Sequence, residues 1–391
     1  MIKIYIADYV LPVSSAPLKN GAVVVNDEGE ILDILPSNHP GLEDKPVERL
    51  KGIITPGFVN THCHLELSYL EGKIPKHEGL IPFIGKVIAA RSADTDLIVE
   101  AMEAADKQMW DNGIVAVGDI SNNILSKDIK LRSRLFYHTF IELIGFNPAA
   151  AKEVYLTGKQ LKEEFSPLRA SIVPHAPYSV SKELLRYINN TDQNGSNLLT
   201  IHNQESEEEN KFFRYKTGKF PDFYKNLNQN IDFFKPQARN SIQSVVPLIE
   251  ANRPLMLVHN TYTGLKDIYF VQRFGREITW CFCPRANLYI ENRLPKINLF
   301  QLSDFKITLG TDSLASNDRL CVFSELKTLH EFYPGLDLNQ TIAWATLNGA
   351  EFLRIENRYG SLEKGKKPGL NLITNTSGLE LTAGSEVRKL V

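Results

Sequence analysis

From residue 52 to about residue 350, short apolar segments alternate with segments of helical periodicity. The apolar segments with the length and texture of buried strands are residues 53–60, 114–119, 135–141, 169–175, 198–202, 255–259, 278–283 and 306–311. Between the first two, residues 97–111 repeat apolar side chains at the spacing of a helix face. Eight strands separated by helices in a chain of 391 residues predict an α/β fold, a (β/α)8 TIM barrel rather than an open doubly wound sheet.

The two ends of the chain differ in texture from the middle. Residues 1–50 contain short β-like segments separated by turns, and β texture returns from Gly360 onward. We expect the two ends to pair into one small β-sandwich. The predicted organisation is a β-sandwich domain of residues 1–53 and 355–391 beside a barrel domain of residues 54–354.

The overall composition narrows the classes of partner. A formal net charge of -2 gives no general reason to expect nucleic acid or an anionic membrane as a partner. The four cysteines contain no C-x-x-C pair, and their spacing does not suggest a disulfide framework. Residues 1–10 lack the basic start and apolar core of a signal peptide, and no apolar run approaches about 18–20 residues. We therefore expect a cytoplasmic, soluble protein.

Five histidines and one aspartate stand at the carboxyl ends of predicted strands. They are His62 and His64 after the first strand, His175 at the end of the fourth, His202 of the fifth, His259 of the sixth and Asp312 of the eighth. In a closed barrel these strand ends meet at one mouth, where enzymes of this architecture keep their active sites. A single histidine after a strand is usually structural, but this many at the same end of different strands predict a metal site.

The types of these side chains indicate which ion they would hold. Neutral imidazole nitrogens and carboxylate oxygens suit Zn²⁺ or Fe²⁺. An open coordination position would hold a water whose pKa the metal lowers towards about 7, so that hydroxide is available near neutral pH. Glu205, three residues after His202, can reach the same cavity and move a proton from that water to the substrate. The alternative for Glu205 is a carboxylate at a helix N-terminus, where the helix dipole favours negative charge.

The motifs around these residues resemble those of the amidohydrolase superfamily, in particular its mononuclear aminohydrolase (deaminase) branch. They are P-G-F-V-N-T-H-C-H at 56–64, P-H-A-P-Y-S at 174–179, H-N-Q-E-S-E-E-E at 202–209, V-H-N at 258–260, C-P-R-A-N at 283–287, G-T-D-S-L-A-S-N at 310–317 and G-S-L-E-K-G-K at 360–366. Hydantoinase-like relatives bridge two metals with a carbamylated lysine, and no lysine lies in residues 169–175, where it would be expected. The resemblance therefore implies one divalent metal ion, Zn²⁺ in the first place and Fe²⁺ as the alternative.

The resemblance also implies roles for individual residues. The metal ligands would be His62, His64, His202 and Asp312. Asp312 would also accept a proton from bound water, and Glu205 would protonate a ring nitrogen of the substrate and later the departing ammonia. His259 would orient the hydroxide and stabilise charge in the tetrahedral intermediate. His175 and Ser313 are expected to contact the substrate, with a structural histidine in a turn as the alternative for His175.

Glu66 makes the stretch H-C-H-L-E-L-S, residues 62–68, more particular than a general H-x-H motif. The phrase resembles the aminofutalosine deaminases, which act on a 6-amino purine nucleoside in an alternative menaquinone route. This resemblance implies that Glu66 lies in the substrate pocket and binds a polar group of the substrate. The alternative is a salt bridge beside the mouth of the barrel.

Residues 211–239 interrupt the alternation of strands and helices with a long segment rich in aromatic residues and lysine. A segment of this length inside a compact domain is usually functional or disordered, and disordered segments contain few aromatic residues. We expect a lid that covers the substrate, with the packing of a lid helix as the alternative explanation of the aromatics. Cys63 should point away from the neighbouring histidines, whereas Cys283 lies near the mouth.

The leading hypothesis is a metal-dependent hydrolase that deaminates an amino-substituted heterocycle through a metal-bound hydroxide and releases ammonia. The substrate class is a purine or a purine nucleoside such as aminofutalosine. One alternative keeps the metal site but cleaves another C–N or C–Cl bond, as in a triazine hydrolase or an opener of an imidazolone or cyclic amide ring. A second alternative is a barrel scaffold without catalysis, which would have lost a metal ligand or Glu205. The expected partners are a small heterocyclic substrate and water, with a homodimer as a further expectation, and neither nucleic acid nor a membrane.

Overall fold

The computed structural model describes residues 2–43, 45–90, 93–191, 197–251 and 253–391. Its strands are β1 (Ile2–Val10), β2 (Leu18–Asn26), β3 (Ile31–Pro36), β4 (Glu48–Pro56), β5 (Phe58–Cys63), β6 (Ile114–Ser121), β7 (Phe136–Leu143), β8 (Arg169–Pro174), β9 (Leu199–Asn203), β10 (Leu255–His259), β11 (Ile278–Phe282), β12 (Lys306–Leu309), β13 (Leu370–Thr374) and β14 (Glu386–Lys389). Its α-helices are α1 (Leu80–Ala89), α2 (Thr95–Asp111), α3 (Lys127–Arg132), α4 (Ala151–Glu164), α5 (Lys182–Asn189), α6 (Glu207–Tyr215), α7 (Phe220–Asn226), α8 (Ser241–Val245), α9 (Leu265–Gln272), α10 (Pro284–Glu291), α11 (Ile297–Phe300), α12 (Val322–Phe332), α13 (Leu338–Ala345) and α14 (Leu347–Phe352). Short 3-10 helices, among them Leu65–Leu70 and Pro177–Ser179, lie between these elements.

Two parallel sheets of four strands form the middle of the chain, in the orders β5-β6-β7-β8 and β9-β10-β11-β12. Every residue of β5, β6, β9, β10 and β11 is buried, as expected for parallel strands that are covered on both faces. Helix α2 buries the apolar face that the sequence predicted, formed by Ile98, Met102, Ala105 and Met109. The predicted α/β class, with parallel strands and intervening helices, is therefore confirmed.

The two parallel sheets meet at both of their edges through backbone hydrogen bonds. Between β8 and β9, the N–H of His202 donates to the carbonyl of His175 at 2.9 Å. Between β12 and β5, the N–H of Asp312 donates to the carbonyl of His62 at 3.1 Å. These contacts hold the carboxyl ends of β5, β8, β9 and β12 in one region of the molecule, which is where the sequence places its histidines and aspartate.

The segment predicted as one strand, residues 53–60, is divided between two sheets. Strand β4 ends at Pro56, and β5 begins at Phe58 in the parallel sheet. A Cβ on the intervening Gly57 would lie 2.3 Å from Cγ1 of Val115, so only glycine fits between the two sheets here. The Gly57 N–H donates to the carbonyl of Pro368 at 3.1 Å. The expectation of one continuous strand is wrong because this Pro-Gly pair carries the chain from one sheet into the other.

The two ends of the chain meet in a six-stranded mixed sheet of order β14-β13-β4-β1-β2-β3, which we call the terminal sheet. Strand β13 from the C-terminal part pairs antiparallel with β4 from the N-terminal part, with Leu370 opposite Pro56. Buried side chains of both parts pack on each other, including Val10, Val23, Ile54, Leu370 and Leu372. The pairing of the two ends is thus present in one sheet, and the two-layered sandwich stays a prediction.

Within the described ranges, no helix is both long enough and apolar enough to cross a lipid bilayer.

Candidate metal centre

Four side chains from three distant parts of the sequence point their polar atoms at one another. His62 lies in β5 and His64 directly follows it, His202 lies in β9, and Asp312 follows β12. Oδ1 of Asp312 is 3.6 Å from Nε2 of His62 and 3.6 Å from Nε2 of His64. Nε2 of His64 is 3.2 Å from Nε2 of His202. All four predicted metal ligands are therefore brought together.

The protonation of His202 can be read from its surroundings. Its Nδ1 lies 2.8 Å from the backbone carbonyl of His175, which can only accept a hydrogen bond. In the neutral ring the proton is therefore on Nδ1, and Nε2 offers a lone pair to the cluster. Burial, and next the charge of nearby His175, lower the pKa of His202 to about 3, which keeps the ring neutral. This is the state that a metal ligand needs.

His62 has the clearest mark of a missing partner. Its side chain is 1% exposed, and neither ring nitrogen has a hydrogen-bond partner among the residues that the structure describes. Buried polar atoms are almost always satisfied, so these nitrogens indicate a partner of another kind. Two ligand atoms, each about 2.1 Å from one ion at a near-tetrahedral angle, stand about 3.4 Å apart. The observed spacings of 3.2 Å and 3.6 Å bracket that value, so the donor set fits one divalent cation.

Two features set the position of Asp312: a left-handed backbone conformation and a hydrogen bond from a serine hydroxyl. Its backbone has a φ of 56°, a left-handed conformation that aspartate adopts only at special sites. Ser316 Oγ donates to Oδ2 at 2.5 Å, which leaves Oδ1 directed at the histidines. Just before it, a Cβ on Gly310 would lie 2.7 Å from Cβ of His62 and 2.8 Å from its carbonyl oxygen. Glycine at 310 is therefore what allows the last strand to approach the first so closely.

His259 and Glu205 form a second pair beside the metal cluster. Nε2 of His259 lies 3.7 Å from Oε1 of Glu205, and its Nδ1 lies 3.1 Å from the amide Nδ2 of Asn287. An amide donor at Nδ1 places the proton of the neutral ring on Nε2, which can then donate towards the cluster. Burial first, and next the nearby histidines His202 and His62, lower the pKa of His259 well below its usual value. His259 is neutral, with φ of 71° at the end of β10.

Glu205 is buried in the same place and has the opposite shift. Burial raises its pKa well above the ordinary value, and the negative charges of Asp312, Glu291 and Glu209 raise it further. A carboxyl with a raised pKa holds its proton to a higher pH than an ordinary glutamic acid and can give it to a neighbouring base. Glu205 directly precedes Ser206, the N-cap residue of α6, so the alternative of a carboxylate at a helix N-terminus stays open beside the catalytic one.

A cavity of about 700 Å³ opens onto this cluster. The predicted site residues that line it are His64, His175, His202, Glu205, His259, Asp312 and Ser313. Its outer walls are apolar and come from α1, from the loop after β7 and from α7, including Leu80, Ile84, Val87, Phe146 and Phe223. A cavity of this size and character suits a small aromatic or nucleoside-sized molecule.

His175 and Ser313, the predicted substrate contacts, both face this cavity. Nδ1 of His175 lies 2.6 Å from Oγ of Ser179, within the turn that follows β8. Ser313 Oγ lies 3.2 Å from Oγ of Ser316, beside the aspartate that the latter holds. Their positions are compatible with the predicted contacts, which stay predictions.

Glu66 lies behind the wall of the cavity and is not among its lining residues. It is 6% exposed, and its Oε2 accepts hydrogen bonds from the backbone N–H of Asn122 at 2.9 Å and from Nδ2 of Asn123 at 3.1 Å. Within the described part of the chain it makes no ion pair, so the salt-bridge alternative is absent there. Burial raises its pKa to about 7, and the charges of Asp119 and Glu142 act in the same direction. A direct contact with substrate stays a prediction.

The segment 211–239 covers one side of the cavity. It contains the end of α6 and all of α7, and it contributes the lining residues Phe223, Tyr224, Leu227, Asn228, Gln229, Asn230 and Phe233. Its aromatic rings pack inward: Phe212 stacks on Phe234 with centroids 4.5 Å apart, and Tyr224 stacks on Phe146 at 5.1 Å. The segment is therefore a packed wall of the cavity, and its opening as a lid stays a prediction.

Three residues of the site were not assigned a role from the sequence. Glu142 lines the cavity, Asn287 contacts Nδ1 of His259, and Ser316 donates a hydrogen bond to Asp312. Glu142 stands next to the last residue of β7, and Asn287 and Ser316 lie inside motifs quoted above. The position of each in the sequence could therefore have marked it as a candidate site residue. Their partners follow from the register of distant strands, which no local pattern reveals. Cys63 and Cys283 are buried and belong to none of the groups that could hold a metal among the described residues.

The chain matches one family model and several known proteins over most of its length. The model of the amidohydrolase family matches residues 53–386. An adenosine deaminase of Helicobacter pylori is 24% identical over 326 residues, which cover 82% of this chain and 78% of that protein. An aminodeoxyfutalosine deaminase of a Nitratiruptor species is 26% identical over 338 residues, 84% of this chain and 80% of that protein.

Solved structures show the same fold. The crystal structure of Helicobacter pylori aminofutalosine deaminase in complex with methylthio-coformycin superposes with a TM-score of 0.83 at 21% identity and covers 100% of both chains. The crystal structure of an atrazine chlorohydrolase from Arthrobacter aurescens complexed with zinc superposes with a TM-score of 0.74 at 15% identity, and the match covers 94% of this chain and 86% of that one.

Proposed function

This chain belongs to the amidohydrolase family and is a hydrolase of carbon–nitrogen bonds, and on that premise we propose that it deaminates the amino-bearing ring of a purine nucleoside. In this reaction water adds to the amine-bearing ring carbon, ammonia leaves, and a carbonyl oxygen takes its place. The observation that carries the proposal is the buried carboxyl of Glu205, whose pKa is raised, 3.7 Å from the neutral His259 and beside the metal cluster. A protonated acid at that point is what activation of a ring nitrogen requires.

We also propose that the two parallel sheets close into a (β/α)8 barrel. The support is the pair of hydrogen bonds between the sheets, from His202 to His175 at one edge and from Asp312 to His62 at the other. Residues 54–354 would form the barrel, and residues 1–53 with 355–391 would form the second domain around the terminal sheet. Barrels of this kind gather catalytic residues at the carboxyl ends of their strands.

The cation would be held by His62, His64, His202 and Asp312. One divalent ion, Zn²⁺ in the first place and Fe²⁺ as the alternative, suits this set of three nitrogens and one oxygen. When bound, the ion lowers the pKa of a coordinated water towards about 7 and so supplies hydroxide near neutral pH. The orphaned nitrogens of buried His62 and the lone pair on Nε2 of His202 support this assignment.

Asp312, Glu205 and His259 would transfer protons or stabilise charge during the reaction. Asp312 accepts a proton from the attacking water, and the hydroxyl of Ser316, bound to Oδ2, keeps the carboxylate oriented towards the cluster. Glu205 gives its proton to a ring nitrogen, which makes the amine-bearing carbon electrophilic. Its carboxylate then takes the proton of the added hydroxyl and passes it to the amine, so that the carbonyl forms and ammonia leaves. The proton held by Asp312 restores the Glu205 carboxyl. His259 donates through Nε2 to the oxygen that gains charge, with its ring fixed by Asn287.

The substrate class rests on the relatives and on the cavity. The matched proteins named above are deaminases of adenosine and of aminodeoxyfutalosine, and the similar structure holds a coformycin. The 700 Å³ cavity has apolar walls that can stack against a purine and polar groups at its inner end. Purine nucleosides, with aminofutalosine as one member, therefore fit best.

The direct test is ammonia release by the zinc-loaded protein from adenosine, 5'-deoxyadenosine, aminodeoxyfutalosine, adenine and guanine. We expect turnover of at least one purine nucleoside, and we expect Glu205→Gln to lower kcat by about 100-fold or more while the metal content is kept. Absence of turnover on all of these, with ammonia or chloride released from an amino- or chloro-triazine, would favour the second candidate, a triazine hydrolase. That candidate is supported by the superposition on the atrazine chlorohydrolase.

We also propose that the chain forms a homodimer. Sedimentation of the purified chain would test it, with the mass of one or two chains as the two outcomes.

A further inference from the structure

We propose that Glu142 binds the substrate, and that its carboxylate accepts hydrogen bonds from hydroxyl groups of the sugar and so selects nucleosides over molecules without them. The inference rests on the proposed function, because it names the part of the nucleoside that this chain recognises.

Glu142 stands near the carboxyl end of β7, with a side chain that is 3% exposed, and it lines the cavity. One of its carboxylate oxygens and one ring nitrogen each of His175 and His202 all lie within 4.8 Å of one another. Parallel strands are about 4.8 Å apart, so β7 lies about 10 Å from β9, which leads to Glu205. In the proposed pose, the amino group of the purine reaches Glu205 and the sugar lies on the β7 side of the cavity.

Glu142 is not required to orient the metal ligand beside it. Nδ1 of His202 donates to the carbonyl of His175 at 2.8 Å, whereas Oε1 of Glu142 is further away, at 3.6 Å. The carbonyl alone therefore fixes the ring and its proton.

A chain of hydrogen bonds fixes the position of this carboxylate. Nδ2 of Asn122 donates to the backbone carbonyl of Glu142 at 3.0 Å and to its Oε2 at 3.2 Å. Asn122 is held in turn by Glu66, whose Oε2 accepts its backbone N–H at 2.9 Å. Glu66 therefore acts as a positioning residue behind the wall. It explains why a buried carboxylate follows the two metal histidines without reaching the cavity itself.

A carboxylate at this position has a definite chemistry. It is an acceptor only, and its hydrogen bonds from hydroxyl donors are stronger than those between neutral groups. A ribose presents two neighbouring hydroxyl donors, which matches one carboxylate. A ligand that lacks these donors forgoes both hydrogen bonds, and in a buried site that loss weakens its binding more than in water. Glu142 thus favours sugars with a diol.

The experiment compares adenosine with 2',3'-dideoxyadenosine, which keeps the reacting ring and lacks both hydroxyls. For the zinc-loaded wild type we expect kcat/KM to favour adenosine at least tenfold. In Glu142→Gln we expect that ratio to approach one, mainly through KM for adenosine, with dideoxyadenosine turned over within threefold of wild type and one metal ion still bound. Asn123→Ala is the matched control, since Asn123 contacts Glu66 but not Glu142, and its ratio should stay as in wild type.

Two further measurements keep the test decisive. Asn122→Ala should lower the ratio partway if Glu142→Gln does not fold. Calorimetric binding of inosine and 2',3'-dideoxyinosine reads the same preference without turnover, so it separates this inference from the proposed function. Equal losses on both ligands in Glu142→Gln, loss of metal, or a wild type with no preference for the diol would overturn the assignment. Ring deamination with no diol preference would overturn it while leaving the proposed function intact.

Discussion

The Nε2 atoms of His64 and His202 lie 3.2 Å apart, although 138 positions separate the two residues in the chain. The proton of His202 is on its other nitrogen, which donates to the carbonyl of His175. Nε2 of His202 therefore directs a lone pair towards the ring of His64. Burial lowers the pKa of both rings, so both are neutral, as ligands of a cation must be. We propose that the two nitrogens are ligands of one ion.

Removing one of these ligands should remove the metal. We expect His202→Asn, prepared with excess Zn²⁺ and then desalted, to hold less than a tenth of an equivalent of metal, against about one for wild type, and to lose activity by about 1,000-fold or more. Elemental analysis and the ammonia assay measure the two effects. His330→Asn is the control, because His330 bonds Thr341 away from the cluster, and it should keep its metal. Normal metal content in His202→Asn would contradict the ligand assignment.

Asn287 should affect the rate without affecting the metal. It fixes the ring of His259, so we expect Asn287→Ala to lower kcat by about 10- to 100-fold with little change in KM. Asn287→Asp should be no better, because a carboxylate would accept the proton on Nδ1 and turn the lone pair of Nε2 inward. Steady-state kinetics and metal analysis check both variants. Recovery of full kcat in Asn287→Asp would show that the proton on Nε2 of His259 is unimportant.

Gly310 should tolerate no side chain. A Cβ there would lie within 3.0 Å of both Cβ and the carbonyl oxygen of His62, so we expect Gly310→Ala to destabilise the fold by about 1–3 kcal/mol and to weaken metal binding. Gly85 in α1 is the matched control, since nothing lies within 4 Å of a Cβ built on it. Gly85→Ala should be neutral or stabilising by up to about 1 kcal/mol. Denaturant unfolding measures both, and equal stability of the two variants would refute the close approach.

Glu209 should make stability depend on pH. Burial raises its pKa from 4.5 to about 7, so the folded state holds a proton that the unfolded state has lost. Its contribution is complete below pH 4.5 and is lost as the pH rises through about 7. Glu209→Gln does not titrate, and relative to wild type it should gain about 2–3 kcal/mol of unfolding free energy between pH 5 and pH 8. Urea unfolding at the two pH values measures the gain, and a constant difference would contradict the shift.

The sequence predicted the parts of this molecule that local patterns control. Buried apolar runs of four to eight residues located the parallel strands, and polar residues at or after their carboxyl ends indicated His62, His202 and Asp312 as site residues. The face of α2 followed from spacing alone. These features depend on residues that are neighbours in the chain, where periodicity is informative.

What the sequence could not supply depends on residues that are far apart in the chain. The Pro56-Gly57 break was hidden because the apolar run continues through it, and only the contact of Gly57 with Val115 reveals the change of sheet. The partners of Asn287 and Glu142 depend on how distant strands align. The position of Glu66 behind the wall depends on a 3-10 helix, Leu65–Leu70, that turns it away from the path of the histidines.

The account rests on one cation held by nitrogen and oxygen atoms. The most direct test is X-ray absorption at the zinc K edge, combined with elemental analysis, of the zinc-loaded chain. We expect one ion per chain with only nitrogen and oxygen neighbours at about 2.0–2.2 Å, and loss of this signal in His202→Asn. Sulfur neighbours at about 2.3 Å, or a chain that binds no zinc while fully folded, would contradict it.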